Sequence, residues 1–285
     1  MPEITAALIK DLRDRTDCGM MDAKRALQET GGDIEKAIDL LRKKGEIKQA
    51  KTAGRVTSEG RIGLAVSPDG KAAAIVSVQC ETDFTGKNEQ FVKLTEGVAQ
   101  SIAAKAGEPA GLPFAGGSGT VSEAVTALVA KTGENMKIGS FFRLQGNPPC
   151  FFGLYLHNDN KLGVLVQIEG SAGGSDAEKT LAKDLAMHAA ANAPLGMTKN
   201  DVPADLVAKE KEIALELAKQ SGKPANLVEK IAEGRIQAFF KERTFLAQPF
   251  VKDPSVNVEQ HVGNVGKQIG KALKLVAFAR LRVGE

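Results

Sequence analysis

The chain has 285 residues, 42% of them hydrophobic and 26% charged, with 38 Lys and Arg against 35 Asp and Glu for a net charge of +3. This globular composition is long enough for two or three small domains with their own cores, but too weakly basic to point to a polyanion partner. Trp is absent and Tyr155 is the single tyrosine, so no base-stacking platform is expected either.

The three cysteines, Cys18, Cys80 and Cys150, are odd in number, far apart and without a CxxC, which favours a reducing compartment. The start MPEITAALIKDLRDR carries acids early and lacks an apolar signal core, and no stretch reaches the roughly 18 apolar residues of a membrane span. A cytoplasmic protein without membrane contact is expected.

Residues 1–47 read as three short helices, with apolar residues at helical spacing from Ile4 to Leu41 and breaks at Cys18-Gly19 and Gly31-Gly32. Asp33 is the expected N-cap of the third. The module has the size of a ubiquitin-associated domain. Residues 48–60, basic and then small and polar, read as a linker.

From residue 61 the pattern is α+β. Ile62, Leu64 and Val66 alternate with small or polar residues, SPDGK turns the chain, and Ala74, Val76, Val78 and Cys80 alternate again, which predicts a β-hairpin. QCETDFTGKN then reads as an exposed turn carrying Phe84. Phe91, Leu94, Val98 and Ile102 mark an amphipathic helix, 107–119 a loop, 121–131 a second helix, and Phe141 to Leu144 a third strand.

This pattern recurs. A shift of 90 residues lays Gly63 on Gly153, Asp69 on Asp159, Lys71 on Lys161, Val76 on Val166 and Phe91 on Leu181. The third strand recurs at a shift of 137, FFRL at 141–144 against FARL at 278–281. Two related halves are therefore expected, 61–147 and 148–285, the second enlarged by an insertion. That insertion, 203–240, reads as a helical hairpin. Leu206, Glu210, Ile213 and Leu217 form one arm, SGKP the turn, and Leu227, Ile231, Phe239 and Phe240 the other. Arms of about 16 residues span roughly 24 Å. The hairpin either lies flat on the core or projects toward a partner.

The repeat bears on Phe84. ETDFTGK at 81–87 falls on SAGGSDA at 171–177, so the second copy has Gly174 in its place. A phenylalanine required by the shared scaffold should recur, which favours a partner anchor over a satellite core residue.

No enzyme chemistry emerges. The nearest approach to a phosphate loop, Gly173 to Thr180, puts Glu178 where a glycine must stand, so direct nucleotide binding is not expected. His157, His188 and His261 are scattered without metal-ligand spacing, and His188 reads as a core histidine. Cys80 continues an apolar alternation and reads as an inert thiol despite a conceivable pairing with His157. No cofactor, metal site or catalytic residue is expected.

LRDRTDCGMMDAKRAL at 12–27, TGGDIEKAIDLLRKKG after it, QCETDF at 79–84, SGKP and QPFV at 248–251 together resemble the bacterial elongation factor Ts family over essentially the whole chain. The resemblance implies a guanine-nucleotide exchange factor in translation that binds elongation factor Tu, both GDP-bound and nucleotide-free. It also implies a ubiquitin-associated-like module, core subdomains N and C, and a coiled-coil hairpin in the second. In the family the TDF loop enters the partner near its magnesium. Carried over, Phe84 is the wedge and Asp83 its polar companion, with Thr82 and Thr85 shaping the loop. Arg13, Met20, Met21 and Lys24 match N-terminal contact positions, and His157 and Val251 match positions of the second subdomain. Core packing of the small module is the other reading for Met20 and Met21. Gln79 and Thr85-Gly86 depart from the usual Asn and Val-Ala, and Gly86 is expected to loosen the loop. An adaptor binding helices or ubiquitin-like partners without exchange activity is the rival; a nucleotide hydrolase is disfavoured.

Overall fold

The computed structural model describes residues 4–16, 18–220 and 224–285. Helices α1 (Ala6–Thr16), α2 (Met20–Glu29) and α3 (Ile34–Thr52) enclose Leu12, Ala23, Ala26, Leu27 and Ala37. Asp33 caps α3 by accepting from the Lys36 N–H, as its position before the apolar run predicts.

The third helix departs from expectation. Residues 48–52, read as the start of a linker, are its last turn. They are held by a neighbour distant in sequence, α6 (Val121–Thr132): Gly45 lies against Thr126 and Ala130, Thr126 donates to the Gln49 side chain at 2.6 Å, and Lys48 reaches the Ala130 carbonyl at 2.8 Å. A Cβ at Gly45 would meet the Thr126 methyl at 3.2 Å, so the missing side chain permits the close crossing.

Strands β1 (Glu59–Val66), β2 (Ala72–Cys80) and β3 (Met136–Gln145) form one antiparallel sheet in that order. Between β2 and α6 run α4 (Asp83–Lys87) and α5 (Glu89–Ala104). Strands β4 (Cys150–Leu156), β5 (Leu162–Glu169) and β8 (Lys274–Arg282) form a second sheet of the same order, with α7 (Asp176–Asn192) and α10 (Val258–Gln268) against it.

The registers coincide under the shifts read from sequence. Gly63 pairs with Val76 and Gly153 with Val166; Val76 pairs with Phe141 and Val166 with Phe278. Both turns are closed alike, with Asp69 accepting from the Lys71 N–H at 3.1 Å and Asp159 from the Lys161 N–H at 3.0 Å.

The two sheets pack face to face. Ala74, Val76, Val78 and Cys80 of β2 face α5 and α6, while Ala73 and Ile75 face Leu165, Ala279 and Leu281 of the other sheet. A strand covered on both faces must be apolar throughout, which is why AAAIVSV reads as a continuous run. At Gly163 a Cβ would stand 2.5 Å from the Ile62 side chain, so the missing side chain lets the sheets pack closely there.

Helices α8 (Ala204–Gln220) and α9 (Ala225–Arg243) pack chiefly on each other. Ser221, Gly222 and Lys223 of the expected SGKP turn lie outside the described residues. Ala214 and Ala218 meet Ala232 and Ile236 at the seam. Ile213, Leu217 and Leu227, expected along the arms at core-like spacing, are exposed instead. Alanines four apart let the helices come closer than a leucine seam allows, and this turns the larger residues outward. Strands β6 (Pro249–Phe250) and β7 (Asp253–Asn257), between α9 and α10, pair as a two-stranded antiparallel ribbon.

Candidate partner-binding site

Phe84 is 82% exposed, at the tip of α4. The stretch expected to be an open turn is a helical turn with defined ends. Thr82 is the N-cap, its Oγ1 accepting from the Thr85 N–H at 3.3 Å, and its carbonyl accepts from Gly86 N–H at 3.1 Å. Asp83 and Lys87 pair across one turn at 2.6 Å, which holds the Asp83 carboxyl below the usual range and the Lys87 ammonium above its own. Asn88 both ends α4 and caps α5 through the Gln90 N–H at 2.8 Å.

The direction of Phe84 follows from its neighbours. Thr85 and Gly86 are buried, and the Gly86 Cα faces the Gly60 carbonyl and the Cys80 sulfur. Each helical residue turns the side chain by about 100°, so Phe84 points away from the face that seats them. Gly86 is therefore a seated residue in ordinary contact with β1 and β2 rather than a loose hinge.

The base of the helix is tied to a distant segment. Glu134 accepts from the Thr82 N–H at 3.1 Å and from Thr82 Oγ1–H at 2.7 Å. Reciprocally, Glu81 accepts from the Asn135 N–H at 2.5 Å. Nothing local in the sequence signals Glu134; its only marker is Gly133 before it, the left-handed residue that ends α6.

His157 is exposed in the 157–161 turn, its ring Nδ1 3.0 Å from the Tyr155 hydroxyl. This turn is brought beside α4. Ile62 N–H donates to the Asn160 carbonyl at 2.8 Å, Lys161 pairs with Glu59 at 2.5 Å, and the Lys161 charge helps keep Asp83 ionised.

Arg13, Met20, Met21 and Lys24 gather at the α1–α2 corner, where Arg13 Nε donates to the Cys18 carbonyl at 3.4 Å. Met20 and Met21 are 60% and 61% exposed, so they are surface residues and core packing does not explain them. Among the described residues, no hydrogen bond or ion pair links this corner to α4.

Val251 is 46% exposed and sits apart, against α7. Its N–H donates to His188 Nδ1 at 3.1 Å, which places the ring proton on Nε2, 3.0 Å from Gln248 Oε1. His188 is buried and stacked between Phe245 and Phe250, as its place on the apolar face of α7 predicts, and burial pushes its pKa down. Phe250 stacks in turn on His261.

The Cys80 thiol is buried and pushed up to about 12, chiefly by loss of water and then by Glu134 and Glu59. It donates to the Thr82 carbonyl at 3.2 Å and is no nucleophile at neutral pH. Among the described residues, no group of His, Cys, Asp and Glu could hold a metal, and no helix is long and apolar enough to cross a membrane.

The model of the family "Elongation factor TS" matches residues 81–285, a span that runs from the base of α4 through β3, the whole second sheet and the α8–α9 pair. The chain belongs to the elongation factor Ts family. Among curated members it is 47% identical over its full length to elongation factor Ts of Sphingopyxis alaskensis, covering 94% of that protein. It is 46% identical to that of Methylococcus capsulatus over 99% of the chain and 92% of the relative, and 46% identical to that of Thiobacillus denitrificans over 91% and 87%. Elongation factor Ts relatives thus cover the helical N-terminus as well, including the α1–α2 corner that the family match leaves out.

Proposed function

We propose that this chain is a guanine-nucleotide exchange factor that binds GDP-bound elongation factor Tu, disturbs its magnesium and phosphate site with the TDF helix, and promotes GDP release. The observation that carries this reading is Phe84, an aromatic held almost fully in water on a capped helix in a member of the elongation factor Ts family. Exposure of a large ring has no stabilising role within the chain, whereas a partner pocket would bury it.

On this reading Phe84 enters between helices of the GTPase domain, and Thr82, Asp83 and Thr85 present it. Because α4 is already formed, little ordering entropy opposes insertion. Exchange needs no acid, base or covalent step, and the chain is not an enzyme in that sense. It is linkage: a factor that binds empty elongation factor Tu more tightly than the GDP form must weaken GDP by the same ratio.

Arg13, Met20, Met21 and Lys24 would form a second contact on the nucleotide domain. His157 and Val251 would belong to a contact surface of the second half. The matching sheet registers favour two related core subdomains behind a ubiquitin-associated-like module, with α8 and α9 as the inserted coiled-coil hairpin. Binding is to protein; direct nucleotide, nucleic-acid and membrane binding form no part of the reading, and a cytoplasmic translation factor is the setting. Stimulated release of labelled GDP from purified elongation factor Tu tests it.

A further inference from the structure

We infer that Glu134 is a positioning residue that sets the pose of Phe84 through Thr82. The inference rests on the reading of Phe84 above.

A helix of five residues has almost no stability of its own, because the first turn fixes several dihedrals for a single hydrogen bond. Something outside α4 must hold it. Downstream, the chain passes at once into the sixteen-residue α5 through the Asn88 cap. At its middle, Thr85 and Gly86 are seated on β1 and β2. Upstream, the hold comes from Glu134.

The geometry explains why a carboxylate stands there. Cys80 and Met136 are the last paired residues of β2 and β3, and beyond them the strands part. The Thr82 and Asn135 N–H groups then lack ladder carbonyls and would be left without acceptors. Glu134 takes the Thr82 N–H and Glu81 takes the Asn135 N–H, so two side chains continue the ladder one step further. Glu134 also takes the Thr82 hydroxyl proton. That leaves the Thr82 oxygen turned to accept from Thr85 N–H, which is the cap of α4.

Gly133, at φ +76°, reverses the chain after α6 so that Glu134 arrives facing Thr82. Phe84 is two residues past the cap, within the end that frays first when a cap is lost. The exposed Asp83–Lys87 pair cannot substitute, since such pairs contribute little. Glu134 itself need not touch a partner for this role.

The experiment measures stimulated GDP release from elongation factor Tu for wild type, E134A, E134Q, F84A and the double variant F84A/E134A, with melting curves for each. Expected is a loss of about three- to tenfold in E134A, from charge-assisted bonds to Thr82. Melting should stay near wild type. E134Q, whose amide oxygen still accepts one of the two bonds, should recover part of the loss. E134A should add nothing in the F84A background, because it acts only through the ring. Wild-type release by E134A beside a slow F84A would overturn the inference and leave the Phe84 reading standing. A full additive loss in the double variant, or an unfolded E134A, would overturn it as well. Wild-type release by F84A would remove the Phe84 reading and this inference with it.

Discussion

Lys161, in the turn between β4 and β5, pairs with Glu59 at the start of β1 at 2.5 Å, joining the two sheets beside α4. The link places His157 and Phe84 in one neighbourhood although 73 residues separate them in sequence. Side chains of both partners are partly exposed, so a double-mutant cycle of Glu59→Gln and Lys161→Met should give a coupling below about 1 kcal/mol. The sheets should stay docked, because Ile62, Ile75 and Leu165 hold them through apolar burial. Unfolding in urea measures both the coupling and the cooperativity.

Gly86→Ala should raise stability by about 0.5–1 kcal/mol, the usual helix-propensity gain over glycine. A Cβ there would meet the Gly60 carbonyl at 3.5 Å and the Cys80 sulfur at 3.8 Å, ordinary contacts, and Gly86 has no positive φ. Melting measured beside stimulated GDP release checks it. A lowered midpoint would mean the seat of α4 is tighter than these distances indicate.

Thiol reagents should distinguish the cysteines. Cys80 and Cys150 are buried, and burial pushes both thiols up, to about 12 for Cys80. Only Cys18 is partly accessible. Iodoacetamide at neutral pH should therefore modify Cys18 first, with Cys80 and Cys150 protected until denaturant is added. Peptide mass mapping at timed intervals reads the order.

Acid should destabilise the fold in two steps. Burial lowers the pKa of His188 and His261 below 6.5, so their neutral forms stabilise fully above that value and the contribution is lost as pH falls below it. For His261, Asp184 and Asp253 oppose the shift and Lys252 adds to it. Glu178 is held down to about 2 by Ser171, with Lys271 and the Ser175 cap assisting against its burial. Its ordinary value is 4.5, so its stabilisation is complete above 4.5 and lost between there and about 2. Glu178→Gln should lower stability at neutral pH by about 2 kcal/mol and flatten the second step. Melting temperature against pH resolves both.

What the sequence made legible was whatever repeated or alternated. Gly63 and Gly153, with the alternation of Val76 and Val166, carried the strand registers, because each sits where a helix backbone closes on a strand: a Cβ would meet the Thr95 carbonyl at 2.7 Å or the Ala182 carbonyl at 2.4 Å. Phe84 was legible as an outlier against that repeat. Its helix was not, since DFTGK has no periodic signal and its cap depends on Glu134, 52 residues downstream of Thr82. The last turn of α3 was hidden for the same reason: Lys48, Gln49 and Lys51 look like a solvated linker until α6 arrives. In the α8–α9 pair, leucine and isoleucine spacing drew attention away from the alanines that form the seam.

The most direct test of the central claim is the rate at which labelled GDP leaves elongation factor Tu in the presence of Phe84→Ala. Its ring is 82% exposed, so the variant should melt within a degree or two of wild type. Loss of a buried aromatic anchor should slow stimulated release by about tenfold or more. Release as fast as with wild type, from a folded variant at matched concentration, would contradict the account.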